Sequence, residues 1–183
     1  MLGVGPGIGG AVAKKWAQNG FAVACVARTA DKGEQLAKEI GNGAVGFACD
    51  VSDAAQLAQI VGRIETEMGD IDALIYNAGS GVFKNYEEIT LDEFRRSWEV
   101  NTFGLLAAAQ LICPKMAARG RGVVAVTGAT ASLRGRPATA GFAASKAAQR
   151  SLAQSLARDL GPKASLSQRF SFVSRTFGKF AAP

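Results

Sequence analysis

Four glycines at alternate positions, Gly3, Gly5, Gly7 and Gly9, stand directly before an amphipathic stretch. That arrangement can hold an anion. Glycine lets the backbone approach a phosphate closely, and a following helix offers free N–H groups and partial positive charge. A plain structural turn uses the same residues, so the loop alone does not decide. Other chemistry is excluded by composition. The chain has no histidine, which removes the commonest general base and metal ligand, and with them any Ser-His-Asp or Cys-His nucleophile. Cys25, Cys49 and Cys113 lie far apart in sequence. They read as small buried residues of a reducing compartment, not as a disulfide framework.

The elements that must position such a loop alternate along the chain. Short apolar runs at 21–27, 45–49, 73–76 and 123–127 lack polar alternation, as strands buried on both faces do. Amphipathic stretches at 9–18, 31–40, 53–67, 91–119 and 139–160 predict helices between them. Thr90 followed by Glu93 predicts a capping box at the start of the long fourth helix. Asn19-Gly20 and Asn42-Gly43 mark turns. The alternation predicts an α/β fold, a Rossmann-type doubly wound parallel sheet with helices on both faces, with the glycine loop opening its first βα unit. Residues 1–163 read as one domain. From 164 to 183 the texture changes to a basic tail rich in Ser and Phe, in which 167–173 has the composition of a weak strand.

Of the 183 residues, 48% are hydrophobic and 20% charged, which excludes a disordered chain. No apolar run has the length of a bilayer span, and the first residues lack the basic flank and apolar core of a secretory signal. A cytoplasmic protein without membrane contact is expected. The net charge is +6, but residues 162–183 carry four basic residues and no acidic one. The body is near neutral and has no basic cluster, which argues against nucleic acid as a partner.

Five motifs, in order, resemble those of the short-chain dehydrogenase/reductase family. Gly3-x-x-x-Gly7-Ile8-Gly9 is similar to the family's glycine loop. Cys49-Asp50-Val51 resembles the Asp-Val on the adenine side of its cofactor, and Asn77-Ala78-Gly79 resembles its Asn-Ala-Gly. Val100-Asn101-Thr102-Phe103-Gly104 resembles the segment bearing a helix-kinking Asn. Phe142-Ala143-Ala144-Ser145-Lys146 stands where the family carries Tyr-x-x-x-Lys. The resemblance covers residues 3–163. It implies hydride transfer between a nicotinamide cofactor and a small carbonyl or alcohol. It also implies cofactor binding by Gly3, Gly7, Ile8, Gly9, Asp50, Val51, Asn77, Ala78, Gly79 and Lys146, and a homo-oligomer formed through the fourth and last helices. Arg28 lies just past the apolar run at 21–27, which stands where the family has its second strand, with Lys32 nearby, and no Asp or Glu ends that run to take both ribose hydroxyls. A guanidinium pairs bidentately with a 2′-phosphate, so NADP is expected over NAD.

The resemblance is incomplete where the chemistry happens. In the family a Tyr moves the proton, a Lys lowers its pKa, a Ser steadies the oxyanion and an Asn holds a water linked to the Lys. Asn101 and Lys146 match, whereas the Tyr position is Phe142 and the Ser position is Ala129. Thr127, Thr130 and Ser132 are the hydroxyls nearest in sequence. Three readings follow. The chain binds NADP without catalysis, as a nucleotide-binding or interaction module; or Lys146, a water on Asn101 or Tyr86 carries the proton; or Lys146 is structural and only bonds the ribose. Tyr76, Trp16 and Trp98 read as packing residues. Both ends depart from the family pattern. Only Met1 and Leu2 precede the loop, and nothing after 163 matches the family's next strand and substrate-covering helix. The fold is expected to lack its first strand and its C-terminal elements, with an apolar gap where the first strand belongs.

Overall fold

The computed structural model of the chain describes residues 1–163 and the backbone of a strand at Phe172–Arg175. The elements alternate as the apolar pattern requires. Helix α1 (Ile8–Gln18) leads to β1 (Ala24–Ala27), α2 (Ala30–Ile40) to β2 (Val45–Ala48), and α3 (Ala54–Met68) to β3 (Ala73–Tyr76). Then come α4 (Leu91–Trp98), a π-helical turn (Glu99–Phe103), α5 (Gly104–Ala118), β4 (Val123–Thr127), α6 (Ala140–Leu160) and β5 (Phe172–Arg175). All strand pairs are parallel: β1 with β2, β3 with β4, and β4 with β5. Two polar signals act as expected. Asp53 caps α3 by accepting from the N–H groups of Ala55 and Gln56, and Thr90 and Glu93 form the capping box of α4.

The sheet has a core on each face. Alternate residues of β1 separate them: Cys25 and Ala27 join Ala13, Ala17 and Ala37 under α1 and α2. Val26 joins Leu74, Tyr76 and Val124 under α3, α5 and α6. All three cysteines are buried and free. Two glycines let α2 lie close to the sheet. A Cβ on Gly33 would come within 2.9 Å of the Cys25 and Phe47 carbonyl oxygens, and one on Gly46 within 2.4 Å of the Glu34 nitrogen.

The two ends correct the expectation from sequence in part. The place of the first strand is not vacant, because Leu2 forms parallel bridges to both Val26 and Tyr76. The Leu2 N–H donates to the Ile75 carbonyl and its own carbonyl accepts from Asn77, both at 2.9 Å. Val26 donates to the Met1 carbonyl at 3.0 Å, and Gly3 donates back to the Val26 carbonyl at 2.9 Å. The expected gap lies below this short connection. It is a cavity of about 330 Å³ between β1 and β3, walled by Val23, Ala24, Ile71, Ala73 and Ile112. At the other end the expectation that the C-terminal elements are lacking is corrected for one strand: β5, which overlaps the weak strand expected at 167–173 only at Phe172 and Val173, pairs with β4 in the register Val124↔Phe172 to Thr127↔Arg175. A parallel edge strand needs only backbone groups in register, which the Ser/Phe-rich composition does not forbid. The rest of the tail, at 164–171 and 176–183, lies outside the described residues. Val124 and Val126 are buried whereas Val123, Ala125 and Thr127 are half-buried, so among the described residues one face of β4 is incompletely covered.

Leu2 therefore joins β1–β2 to β3–β4–β5. Its side chain is 3% exposed. Leu2→Ala should lower stability by about 2–5 kcal/mol, read as a lower urea midpoint at unchanged slope. A change under about 0.5 kcal/mol would mean that the two halves hold together without it.

Candidate active site

The glycine loop turns where the seat of Leu2 places it. Gly3 has φ +86°, and a Cβ there would lie 2.3 Å from the Ala78 nitrogen, so only glycine fits. A Cβ on Gly9 would lie 2.6 Å from the Gly3 carbonyl oxygen, which sets how closely α1 approaches the loop. Gly5 and Gly7 by contrast face open space. Gly7 caps α1 without a side-chain hydrogen bond, and no acid stands in the helix's first turn. An uncapped helix start behind an open glycine backbone suits a pyrophosphate. Ile8 opens that helix with its side chain 43% exposed.

A groove of about 1000 Å³ runs from this loop across the carboxyl ends of the strands. At one end it is lined by Arg28 and Lys32, in the middle by Asp50 and Val51, and at the other end by Asn77, Ala78 and Gly79. Arg28 and Lys32 have no ion-pair partner among the described residues. The groove has the size and the charge placement of a dinucleotide site at a topological switch point.

Its far end rests on a buried polar network. The Asn77 amide donates to the Gly3 carbonyl at 2.7 Å, and its oxygen accepts from the Thr127 hydroxyl at 2.8 Å. The Thr127 carbonyl in turn accepts from Lys146 Nζ at 3.0 Å, and Nζ also donates to Gln149 Oε1 at 2.9 Å. Lys146 is 5% exposed, and burial pushes its ammonium pKa down to about 8. Asn101 lies in the π turn, a geometry found often at functional sites. Its Nδ2 donates to the Ser97 carbonyl at 2.8 Å, the Ser80 carbonyl at 3.0 Å and Ser145 Oγ at 3.2 Å. Asn101 Oδ1 and Gln149 Nε2 are buried and have no hydrogen-bond partner among the described residues. Gly79 covers this cluster: a Cβ there would lie 3.3 Å from Asn101 Oδ1 and 3.7 Å from Lys146 Nζ. An unpartnered buried acceptor next to an ammonium fits a water or a ligand hydroxyl bonded to both.

Residues 1–165 match the family model of the short chain dehydrogenases. The chain belongs to the short-chain dehydrogenase family. It is 31% identical over 166 residues to the 7alpha-hydroxysteroid dehydrogenase of Escherichia coli, covering 89% of this chain and 65% of that protein. It is 34% identical over 163 residues to the 3alpha-hydroxysteroid dehydrogenase of Mediterraneibacter gnavus, covering 85% and 64%. The chain thus spans just under two thirds of the length of these relatives. Among solved structures it is similar to a gluconate 5-dehydrogenase from Burkholderia cenocepacia in complex with NADP and tartrate. The TM-score is 0.83 at 30% identity, over 89% of this chain and 65% of that one.

Within this member of the family, the residues expected from sequence fall into two groups. Gly3, Arg28, Asp50, Val51, Asn77, Ala78 and Gly79 all line the groove, and Asn101 and Lys146 lie beneath its far end. Phe142 lies one helical turn before Lys146 on α6, its carbonyl accepting from Ser145 Oγ at 3.1 Å and its ring 5.0 Å from that of Phe83. Ala129 is half-buried in extended backbone. The Thr127 hydroxyl is taken by Asn77. Tyr86, entertained above as a proton carrier, is corrected: it is 78% exposed and donates to its neighbour Glu87 at 2.8 Å. Tyr76 is wholly buried and donates to the Val100 carbonyl at 2.6 Å.

Two site residues escaped the sequence. Gln149 sits three residues after Lys146, on the same face of α6, and a lone buried amide in an Ala-rich helix was its only signal. Arg96 belongs to none of the motifs read from sequence. It bonds both Asp50 and Ser52. For Asp50, burial raises the pKa; the Ser52 hydroxyl and N–H, and then Arg96, outweigh it and hold the carboxyl below its ordinary value.

Lys146 also sets a pH signature. Its pKa is about 8 in the folded chain against 10.5 ordinarily. Below pH 8 both states are charged and the folded one carries the full burial cost. Between these values the unfolded state holds more protons, so stability rises with pH. Relative to Lys146→Met, the parent should gain on the order of 3 kcal/mol across that window, measured by urea unfolding at stepped pH. A constant difference between the two proteins would mean that the amine is hydrated in the folded state.

Proposed function

We propose that the groove takes NADP and that the chain is an NADP-dependent oxidoreductase acting on a small carbonyl or alcohol. The observation that carries this reading is the layout of the groove, with two cations that have no ion-pair partner among the described residues at one end and the Lys146–Asn101 cluster at the other. The glycine loop and the start of α1 would take the pyrophosphate, Arg28 and Lys32 the 2′-phosphate, Asp50 and Val51 the adenine side, and Lys146 the nicotinamide ribose. When bound, the dinucleotide supplies the hydride. The protein must still handle one proton, and Phe142 has none to give. Lys146 Nζ and a water on Asn101 Oδ1 are the groups placed for it. The Lys146 pKa of about 8 suits exchange near neutral pH. A non-catalytic role finds no support among the relatives, whose names are those of dehydrogenases.

The reading is tested by thermal melts with NADPH and NADH. NADPH at 100 times its Kd should add about 2.7 kcal/mol of stability, with NADH much weaker. Arg28→Ala should weaken NADPH by about tenfold or more and leave NADH nearly unchanged. Equal binding of the two cofactors, or NADPH affinity intact in Arg28→Ala, would overturn the NADP assignment. For the reaction itself, Phe142→Tyr restores an ionisable hydroxyl at the family's position. It should raise carbonyl reduction about a hundredfold. No gain would mean that the missing acid does not limit turnover.

A further inference from the structure

Midway along the groove, two elements distant in sequence meet through charge. Asp50 lies just beyond β2, and Arg96 projects from α4, 46 residues later. Arg96 donates from Nη2 to Asp50 Oδ2 and, at 2.6 Å, from Nη1 to Ser52 Oγ. The Ser52 hydroxyl donates in turn to Asp50 Oδ1 at 2.7 Å, and the Ser52 N–H donates to the same oxygen at 3.0 Å. The three side chains close a ring, and both carboxylate oxygens are held. The Asp50 side chain remains 27% exposed and that of Arg96 46%, and both line the groove.

The ring faces a particular part of the ligand. Arg28 and Lys32 follow β1, which places the adenosine ribose at that end and the base beyond it, toward the end of β2. Asp50 is the residue there with a fixed charge. A carboxylate is an acceptor only. It favours a base that presents an amino group and repels one that presents a carbonyl at the same position. That discrimination requires a fixed carboxylate, since a rotating one turns either base edge toward water. Arg96, charged at every working pH and forked, supplies the fixing.

We propose that Arg96 is a positioning residue for base recognition: it locks Asp50 at the rim of the groove as an acceptor for the adenine amino group and so sets the preference for adenine over a 6-oxo purine. This rests on the reading of the groove as an NADP site.

The test measures Kd by fluorescence titration for NADPH and for its hypoxanthine analogue, in which a carbonyl replaces the amino group. The parent should prefer NADPH by about tenfold. Arg96→Ala should weaken NADPH several-fold, change the analogue by less than about twofold, and so flatten the preference. Arg96→Lys, a charge without the fork, should restore part of it. Asp50→Asn, whose amide meets either base, should flatten it with Arg96 intact. The ratio of NADPH to NADH affinity, set at Arg28, should not move in Arg96→Ala. Equal weakening of NADPH and its hypoxanthine analogue in Arg96→Ala would make the ring a structural tie between β2 and α4 and overturn the proposal. A parent that binds NADPH without base preference would overturn it too. In both cases the NADP reading stands. Failure of the parent to bind NADPH at all would overturn both.

Discussion

The site depends on how the first residues sit in the sheet. Leu2 exchanges backbone hydrogen bonds with β3, and Met1 and Gly3 do so with β1. Each such group, buried and unpaired, would cost about 1–3 kcal/mol. The seat does more than join the two halves of the sheet. It presses Gly3 against Ala78, which brings the Gly3 carbonyl to the Asn77 amide. From there one chain of hydrogen bonds runs through Thr127 to Lys146 and Gln149. The phosphate end of the groove and its reactive end are therefore placed by one backbone register. A slip at Leu2 would move both.

The polar floor is held at a cost. A buried ammonium is far less favourable than an apolar side chain of the same length unless acceptors surround it. Lys146 has two, the Thr127 carbonyl and Gln149 Oε1, and uses two of its three donors on them. The π turn serves the same cluster from the other side. One residue more per turn rotates Asn101 inward, so that its amide reaches Ser97, Ser80 and Ser145 while Oδ1 stays unpartnered. Rigid donors and spare acceptors side by side make a preorganised place for a ligand's polar atoms.

Much of this was legible from sequence, for physical reasons that differ by element. Strands at 45–48, 73–76 and 123–127 declare themselves because the runs are almost wholly apolar and lack polar alternation. The cap at Thr90 is local chemistry and survives any tertiary context. The bridging role of Leu2 was not legible. Strand identity is read from runs, and one residue makes none. The long helix at 91–119 hid its π turn, since an inserted residue leaves amphipathic composition unchanged. β5 fell inside the tail because an edge strand is decided by its neighbour's free backbone and not by its own pattern. Arg96 was missed for a similar reason: its meaning lies in Asp50, which sequence places 46 residues away. The glycine loop and Arg28 were singled out by their own chemistry, whereas Asp50, Asn101 and Lys146 were singled out only by resemblance to the family's motifs.

The substitution at position 142 changes the direction from which a proton can come. Phe142 packs its ring on Phe83, and a phenyl ring has no proton to exchange. The nearest hydroxyl on β4, that of Thr127, already donates to Asn77. Polar atoms with spare capacity lie below the groove, not beside it: Asn101 Oδ1 and the third donor of Lys146. Gly79 is what keeps them within reach, since any side chain there would cover Asn101 Oδ1 at 3.3 Å. In the proposed reaction the proton therefore travels through the floor at Gly79. In that reading a carbonyl oxygen must point down toward Lys146 to receive it.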